Sequence, residues 1–317
     1  VSASCTRRVP LFALVVALPL ACVTACSTGR AETVGTATTR PTVLRYCYAP
    51  NTEEPEKQSL RLDRLEKYLE DRLKIDVEMY KTSAGYGAVI EAMRAKKVDV
   101  AQIGPFGYLI ASEKAGAEVL VVRGTKDTAE GIYSGVIAVA KNSPIKTIDQ
   151  LVAHSKELTF SFVDPDSTSG FLVQRAYFQS VGLDPDTDFK KTMFSMNHIA
   201  SAMTLIAGKV DAAAMMERMP YTLATRGRIK QDDIRILWTS PRLPSSPIAI
   251  RKDLPADFKE EVRQALVDIP DRDPELWKMW PKTNGPADAV LLPANDTLFD
   301  GLRHMVRSVD NLSLLEH

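Results

Sequence analysis

The residues most able to do chemistry in this 317-residue chain stand in one short stretch, Asp164-Pro165-Asp166-Ser167-Thr168-Ser169-Gly170-Phe171. Three hydroxyl side chains follow one another where a strand pattern, Leu158 to Val163, gives way to helical apolar spacing from Phe171 through Tyr177 to Val181. A helix start leaves its first backbone N–H groups without intrahelical partners and carries the positive end of the helix dipole. Hydroxyl donors added there can surround a tetrahedral oxyanion from several sides. The simpler reading of the same residues is a serine N-cap with polar neighbours.

The elements that must hold this turn read as alternating strands and helices. Val43–Tyr48, Ile75–Tyr80, Val98–Ile103 and Val119–Arg123 have strand character. Between them, Ser59–Leu73 has five leucines at helical spacing, and Gly85–Lys97 and Phe106–Lys114 also read as helices. A second alternating set runs from Gly135 to Trp238 and includes helices at Gly170–Ser180 and Ala200–Ala207. Such alternation implies an α/β fold with parallel-rich sheets and helices on both faces. Strand-to-proline passages at Val139–Pro144 and Leu237–Pro247 mark two hinge crossings between lobes. The expected organisation is a first lobe over 42–140, a second over 141–238, and a return to the first lobe over 239–317. The phrases Glu91–Ala101 and Thr204–Ala213 share one shape: an amphipathic helix, a turn with lysine, then Val-Asp and a small-residue strand. A small ligand belongs in the cleft between two such lobes.

The first residues address a compartment. Arg7 and Arg8 precede an apolar run from Pro10 to Val23, too short to span a bilayer as a mature helix. The run closes on Val23-Thr24-Ala25-Cys26-Ser27, which resembles a bacterial lipobox with Cys26 as the lipidated residue. Residues 1–25 are therefore expected to be a lipoprotein signal peptide. Residues 26–41, rich in Thr, Gly and Ala, are expected to be a flexible tether. The protein would then be exported and anchored to the outer face of the cytoplasmic membrane, with Cys47 as the sole cysteine of the domain proper. No cysteine–histidine spacing suggests a metal, and no cofactor is expected. Without Arg7 and Arg8 the chain has 38 basic and 40 acidic residues. With no basic block or RNA-binding motif, nucleic acid is excluded as the expected partner.

Four segments together resemble one family. They are Gly85–Arg94, Val98–Pro105, Asp164–Val173 and Ser240–Ile248. In this order the chain resembles the solute-binding proteins of bacterial ABC importers for phosphonate, phosphite and phosphate. The resemblance implies a two-lobed type II periplasmic-binding-protein fold, each lobe a sheet flanked by helices. It implies a monomer that works with a membrane permease and its ATPase and performs no catalysis. It also implies site residues: Ser167, Thr168 and Ser169 on the phosphonyl oxygens, Tyr86 from the other lobe, Tyr133 near the first hinge, and His198 as a cationic or neutral donor. In aminophosphonate binders of this family, carboxylates meet the ligand's ammonium. Glu217 stands near one such position, with Arg218 beside it as a candidate ion-pair partner. Ser246 stands at the other and carries no charge. The resemblance therefore leaves 2-aminoethylphosphonate, other phosphonates, phosphite and phosphate open as ligands, with a ligand sensor as a further alternative role.

Overall fold

A computed structural model describes residues 39–48, 55–81, 85–125, 133–280, 289–309 and 312. The expected signal peptide, Cys26 and most of the expected tether lie outside the described residues.

The chain opens with β1 (Val43–Tyr48), α1 (Pro55–Leu73), β2 (Asp76–Lys81), α2 (Tyr86–Arg94), β3 (Val100–Gln102), α3 (Pro105–Ala115) and β4 (Ala117–Gly124). It continues with β5 (Gly135–Ala140), α4 (Ile148–Ala153), β6 (Thr159–Phe162), α5 (Val173–Ser180), β7 (Lys191–Phe194), α6 (His198–Ile206), β8 (Ala212–Met216), α7 (Met219–Thr225) and β9 (Ile234–Thr239). It finishes with β10 (Ile248–Arg251), α8 (Ala256–Val267), α9 (Ile269–Arg272), α10 (Pro274–Met279), β11 (Val290–Pro293) and α11 (Asp300–Ser308).

Two sheets result. The first has the order β11-β4-β10-β3-β1-β2, the second β7-β6-β8-β5-β9. One lobe is built on each, and the cores lie on both faces of the sheets. The α1 leucines Leu62, Leu65, Leu69 and Leu73 pack with Tyr46, Val100 and Ile250 on one face of the first sheet. Cys47, Ala101 and Val122 point to the opposite face, where Met93, Phe106 and Leu109 cover them. This is the two-residue alternation of strands meeting the 3.6-residue period of helices. Cys47 is buried and unbridged, a small core residue.

The sheets are more mixed than the strand–helix alternation implies. β5 runs antiparallel to β8 and β9, and β10 runs antiparallel to β3 and β4. These are the strands by which the chain enters each sheet from the other, so they do not follow a βα crossover within their own lobe. β11 is antiparallel to β4 as well.

The first crossing also moves. Gly135–Ala140, expected to end the first lobe, is instead the strand next to the centre of the second sheet. The first passage therefore lies between β4 and β5, not at Val139–Pro144. The turn Lys141–Ser143 joins β5 to α4 inside the second lobe. A proline after a strand marks the end of that strand in either case, which is why the pattern misplaced the crossing. The second passage runs through residues 240–247. The two strap together where Leu243 N–H donates to Tyr133 O at 2.7 Å and Ser240 N–H donates to Gly135 O at 2.9 Å.

The two matching phrases form matching structures. Lys96 and Gly208 each take positive φ in the turn, at 58° and 66°. Asp99 then accepts from Arg45 N–H at the start of β1 (2.9 Å), and Asp211 accepts from Thr159 N–H at the start of β6 (2.7 Å). In both lobes the aspartate side chain thus holds the neighbouring parallel strand in register.

Candidate functional site

The hydroxyl turn sits between the lobes. Ser167 is the N-cap, its Oγ accepting from Gly170 N–H at 3.2 Å. Thr168–Leu172 then form a π-helical turn before α5, with Leu172 N–H reaching back to Ser167 O at 3.0 Å. Single π turns recur at functional sites because they widen the helix and shift the following side chains. Gly170 is required by close approach: a Cβ there would lie 2.3 Å from Val163 Cγ2. Ser169 O is fixed by Gln174 Nε2 at 2.8 Å. Ser167, Thr168 and Ser169 are all buried.

Two helices of the first lobe point their N-termini at this turn. α2 begins after Gly85 and α3 after Gly104, and neither has a capping side chain of its own. The other lobe supplies acceptors. Phe106 N–H donates to Thr168 Oγ1 at 2.8 Å, and the backbone of Tyr86 hydrogen-bonds the Asp164 carboxylate. Gly85 adopts φ 85° and ψ 178°, a conformation open to glycine, and a Cβ there would lie 2.9 Å from Asp164 Oδ2. The lobes are therefore in contact, and side chains of the second complete the backbone hydrogen bonding of the first.

Tyr133, on the first passage, joins the turn through side-chain hydrogen bonds with Thr168 and Ser169. Burial pushes its phenol up to about 12, against the pull of those two hydroxyls. Burial also raises the Tyr86 phenol, helped by the nearby Asp164, Tyr133, Tyr48 and Asp166. Both tyrosines are neutral hydrogen-bond donors at ordinary pH. The Asp164 carboxyl is raised by burial and opposed by N–H groups of Asp166 and Tyr86. The Asp166 carboxyl is raised to about 6 by burial and by Asp164.

His198 opens α6. Its Nδ1 accepts from Met216 N–H at 3.1 Å, and burial lowers it to about 4. Of the two states open to the sequence, it is the neutral one, with the proton on Nε2. Met216 is the register partner of Gly135, and a Cβ on Gly135 would meet Ser169 O at 2.7 Å. His198 is thereby tied to the end of the sheet that carries the hydroxyl turn.

Glu217 follows Met216 and has a charged partner of its own. Its N–H donates to Ser134 O at 3.0 Å, and its carboxylate accepts from Arg242 Nη1 at 2.8 Å. The expected partner Arg218 instead stacks over Tyr221 at 5.5 Å. Arg242 reaches Glu217 because the second passage crosses beside the end of β8, a proximity that the linear spacing does not carry. Met215 and Met216 are buried core residues.

Several site residues escape a reading of motifs. Asp164 and Asp166 belong to the hydroxyl segment, yet their role across the cleft depends on α2. Tyr48 shares the register of Gln102 at the end of β1. The two uncapped helix starts at Gly85-Tyr86 and Gly104-Pro105 are the one advance signal of the contact. Among the described residues, no group of His, Cys, Asp and Glu is placed to hold a metal.

The family model for the periplasmic substrate-binding protein of phosphonate ABC transporters matches residues 48–288. The chain is 30% identical over 229 residues to the phosphonates-binding periplasmic protein of Escherichia coli K12, covering 71% of this chain and 67% of that one. It is 26% identical over 259 residues to a phosphate-import protein of Mycolicibacterium smegmatis, covering 77% and 78% of the two chains. Its fold matches the crystal structure of a binding component of an ABC phosphonate transporter from Pseudomonas aeruginosa with a TM-score of 0.73. That match has 22% identity and covers 87% of this chain and 91% of that one.

Proposed function

This chain belongs to the periplasmic substrate-binding proteins of phosphonate ABC transporters, and we propose that it captures a phosphonate or closely related phosphorus oxyanion in the cleft at Ser167–Ser169. The carrying observation is the turn itself: buried hydroxyls on a helix start, faced by helix N-termini and neutral tyrosines from both sides. Ser167, Thr168 and Ser169 bind the phosphoryl oxygens, Tyr86 and Tyr133 donate their phenol protons, and His198 donates through Nε2. A neutral donor set of this kind binds an oxyanion by hydrogen bonds and helix dipoles, without a compensating cation. Contacts made only when the lobes meet, such as Phe106 to Thr168, favour closure over the ligand.

The closed protein then delivers its ligand to the permease and its ATPase. The role is capture without turnover. Lipidation at Cys26 keeps the domain near its permease by raising local concentration. A phosphate-binding role is the second reading, favoured by the match to a phosphate-import protein. The lobes divide as 42 to about 125 with 248–317, and 135–239.

The test is calorimetry of the domain from Thr38 onward with methylphosphonate, 2-aminoethylphosphonate, phosphite, phosphate and sulfate. Binding of a phosphorus oxyanion, weakened at least tenfold by Ser167→Ala, is the expected result. No binding by any of them refutes the proposal, and phosphate far ahead of every phosphonate selects the second reading.

A further inference from the structure

One residue in the loop before α6 carries backbone strain that a glycine would avoid. Met196 takes φ 67°, in the left-handed region where glycine is at ease and a side chain is not. Anchors on both sides impose the turn. Ser195 N–H donates to Phe162 O at 3.0 Å, and its Oγ meets Ser161 Oγ at 2.5 Å. Asn197 caps α6, its Oδ1 accepting from Ala200 N–H at 2.8 Å, and its own N–H donates to Ser195 O at 2.9 Å. Glycine makes such a turn at no steric cost, so the presence of a long side chain there points to a use for it.

That side chain reaches the other lobe. A Cβ on Gly85 would lie 3.3 Å from Met196 Cε and 2.9 Å from Asp164 Oδ2, so the second lobe grips the Gly85 backbone with both residues. Met196 is 44% exposed, which places the contact at the mouth of the cleft. It joins the residue before Tyr86 to the residue two before His198, just outside two of the ligand donors. Phe194, two residues earlier and 40% exposed, continues the apolar rim, with its ring 5.6 Å from that of Phe171 beside the hydroxyl turn. The cradle is thus polar inside and rimmed by a thioether and aromatic rings. The oxygens of a phosphonate are held by the hydroxyl turn, the tyrosines and His198. A substituent on phosphorus too long for the closed cleft has to leave between the lobes, and there Met196 lies against Gly85.

We propose that Met196 is a specificity-determining residue of the capture site: by closing the cleft mouth against Gly85 it restricts the group on phosphorus to hydrogen, hydroxyl or methyl. A longer alkyl chain has to part Met196 from Gly85 and so loses a contact made only in the closed state. A charged tail is in addition left against apolar side chains without its hydration. The ligand class is then phosphite, phosphate and methylphosphonate, ahead of any phosphonate with a tail of two carbons or more. This rests on the capture reading given above.

The experiment is a tail-length series titrated into the intact domain by calorimetry: methylphosphonate, propylphosphonate and 2-aminoethylphosphonate. Methylphosphonate is expected to bind at least about tenfold more tightly than propylphosphonate, the lower end for one methylene group in a closed pocket. 2-Aminoethylphosphonate, with a charged tail of similar length, is expected to bind no better than propylphosphonate. Met196→Gly is expected to bring the methylphosphonate and propylphosphonate affinities to within about threefold of each other, and Met196→Leu, which keeps the volume, to restore the gap. Glycine suits the backbone at this position, so Met196→Gly is expected to have a urea midpoint no lower than the wild type, and Met196→Ala serves as a second variant. A gap unmoved by Met196→Gly, or a loss of affinity equal for all three ligands, overturns the proposal. A wild type that binds propylphosphonate or 2-aminoethylphosphonate as tightly as methylphosphonate overturns it too. If no ligand binds the wild type, the capture reading fails instead, and the two outcomes are distinguishable.

Discussion

Replacing Thr168 by valine changes one oxygen into a methyl group at nearly constant volume, and that oxygen is where the two lobes meet. Thr168 Oγ1 accepts from Phe106 N–H at 2.8 Å, and both residues are buried. α3 has no capping side chain of its own, so Thr168→Val removes the side-chain acceptor of a buried N–H in the closed protein. An unsatisfied buried donor costs about 1–3 kcal/mol. When the lobes separate the same N–H meets water, so the cost falls on closure alone. A ligand oxygen held by the Thr168 hydroxyl adds about 1.5–3 kcal/mol, the range for hydrogen bonds to charged groups. Together they predict a loss of methylphosphonate affinity of about 70-fold or more, at about 1.4 kcal/mol per factor of ten. Thr168→Ser keeps the oxygen and is expected to bind within about threefold of the wild type, less than 1 kcal/mol. Calorimetry reads the affinity. The distance between spin labels at exposed Leu60 and Tyr221, one on each lobe, reads closure. The ligand-free Thr168→Val protein is expected to be more open. Wild-type affinity in Thr168→Val, or equal losses in the serine and valine variants, refutes the reasoning.

The other predictions concern packing and pH. Gly170→Ala places a Cβ 2.3 Å from Val163 Cγ2 and is expected to lose about 1–3 kcal/mol of stability by overpacking, seen as a lower urea midpoint. Because the same shift displaces Ser167 and Ser169, ligand binding is expected to fall further than stability. His198, lowered to about 4 in the folded protein, is protonated more readily when unfolded, so its contribution to stability is complete above pH 6.5 and declines as pH falls towards 4. Asp166, raised to about 6, acts in the opposite sense: its burial destabilises above pH 6, and that penalty fades as pH falls towards 4. In thermal melts, His198→Asn is expected to flatten the acid decline. Asp166→Asn is expected to raise the melting temperature at pH 7.5 and to have little effect at pH 4.5. At 1.36 kcal/mol per pKa unit each effect is at most about 3.5 kcal/mol. An Asp166→Asn protein with the same gain at both pH values refutes the assignment.

Much of this molecule was legible before its structure. The strand and helix spacings located most elements up to β9, because apolar side chains facing a sheet must repeat with the period of the backbone that carries them, but they did not single out β11. The hydroxyl turn was legible for the same kind of reason: a strand end, a glycine and a helix start have recognisable neighbours. What stayed hidden was set by pairing between distant segments. Whether Gly135–Ala140 joined the first sheet or the second depended on β8 and β9 as partners. Glu217 met Arg242 across 25 residues of chain, not its neighbour Arg218. The π turn at Thr168 was hidden too, since the contacts around it, Val163 against Gly170 and Gln174 on Ser169 O, are not carried by local spacing.

The place of β10 in its sheet has a consequence for the order in which this chain acquires its shape. β3 and β4 do not pair with each other; β10 lies between them and bonds to both. Residues 135–239 form the second sheet as one uninterrupted stretch, and its nucleus needs no other part of the chain. The first sheet stays split into two unjoined halves until Ile248–Arg251 arrives to bridge them. Refolding is therefore expected to have two phases, with Val100, Ala101 and the edge of β4 exposed as sticky, unfinished surface throughout the first. During synthesis the first sheet therefore waits from residue 124 until β10, and the far edge of β4 until β11 at Val290–Pro293, which prolongs the exposure of its unfinished edges.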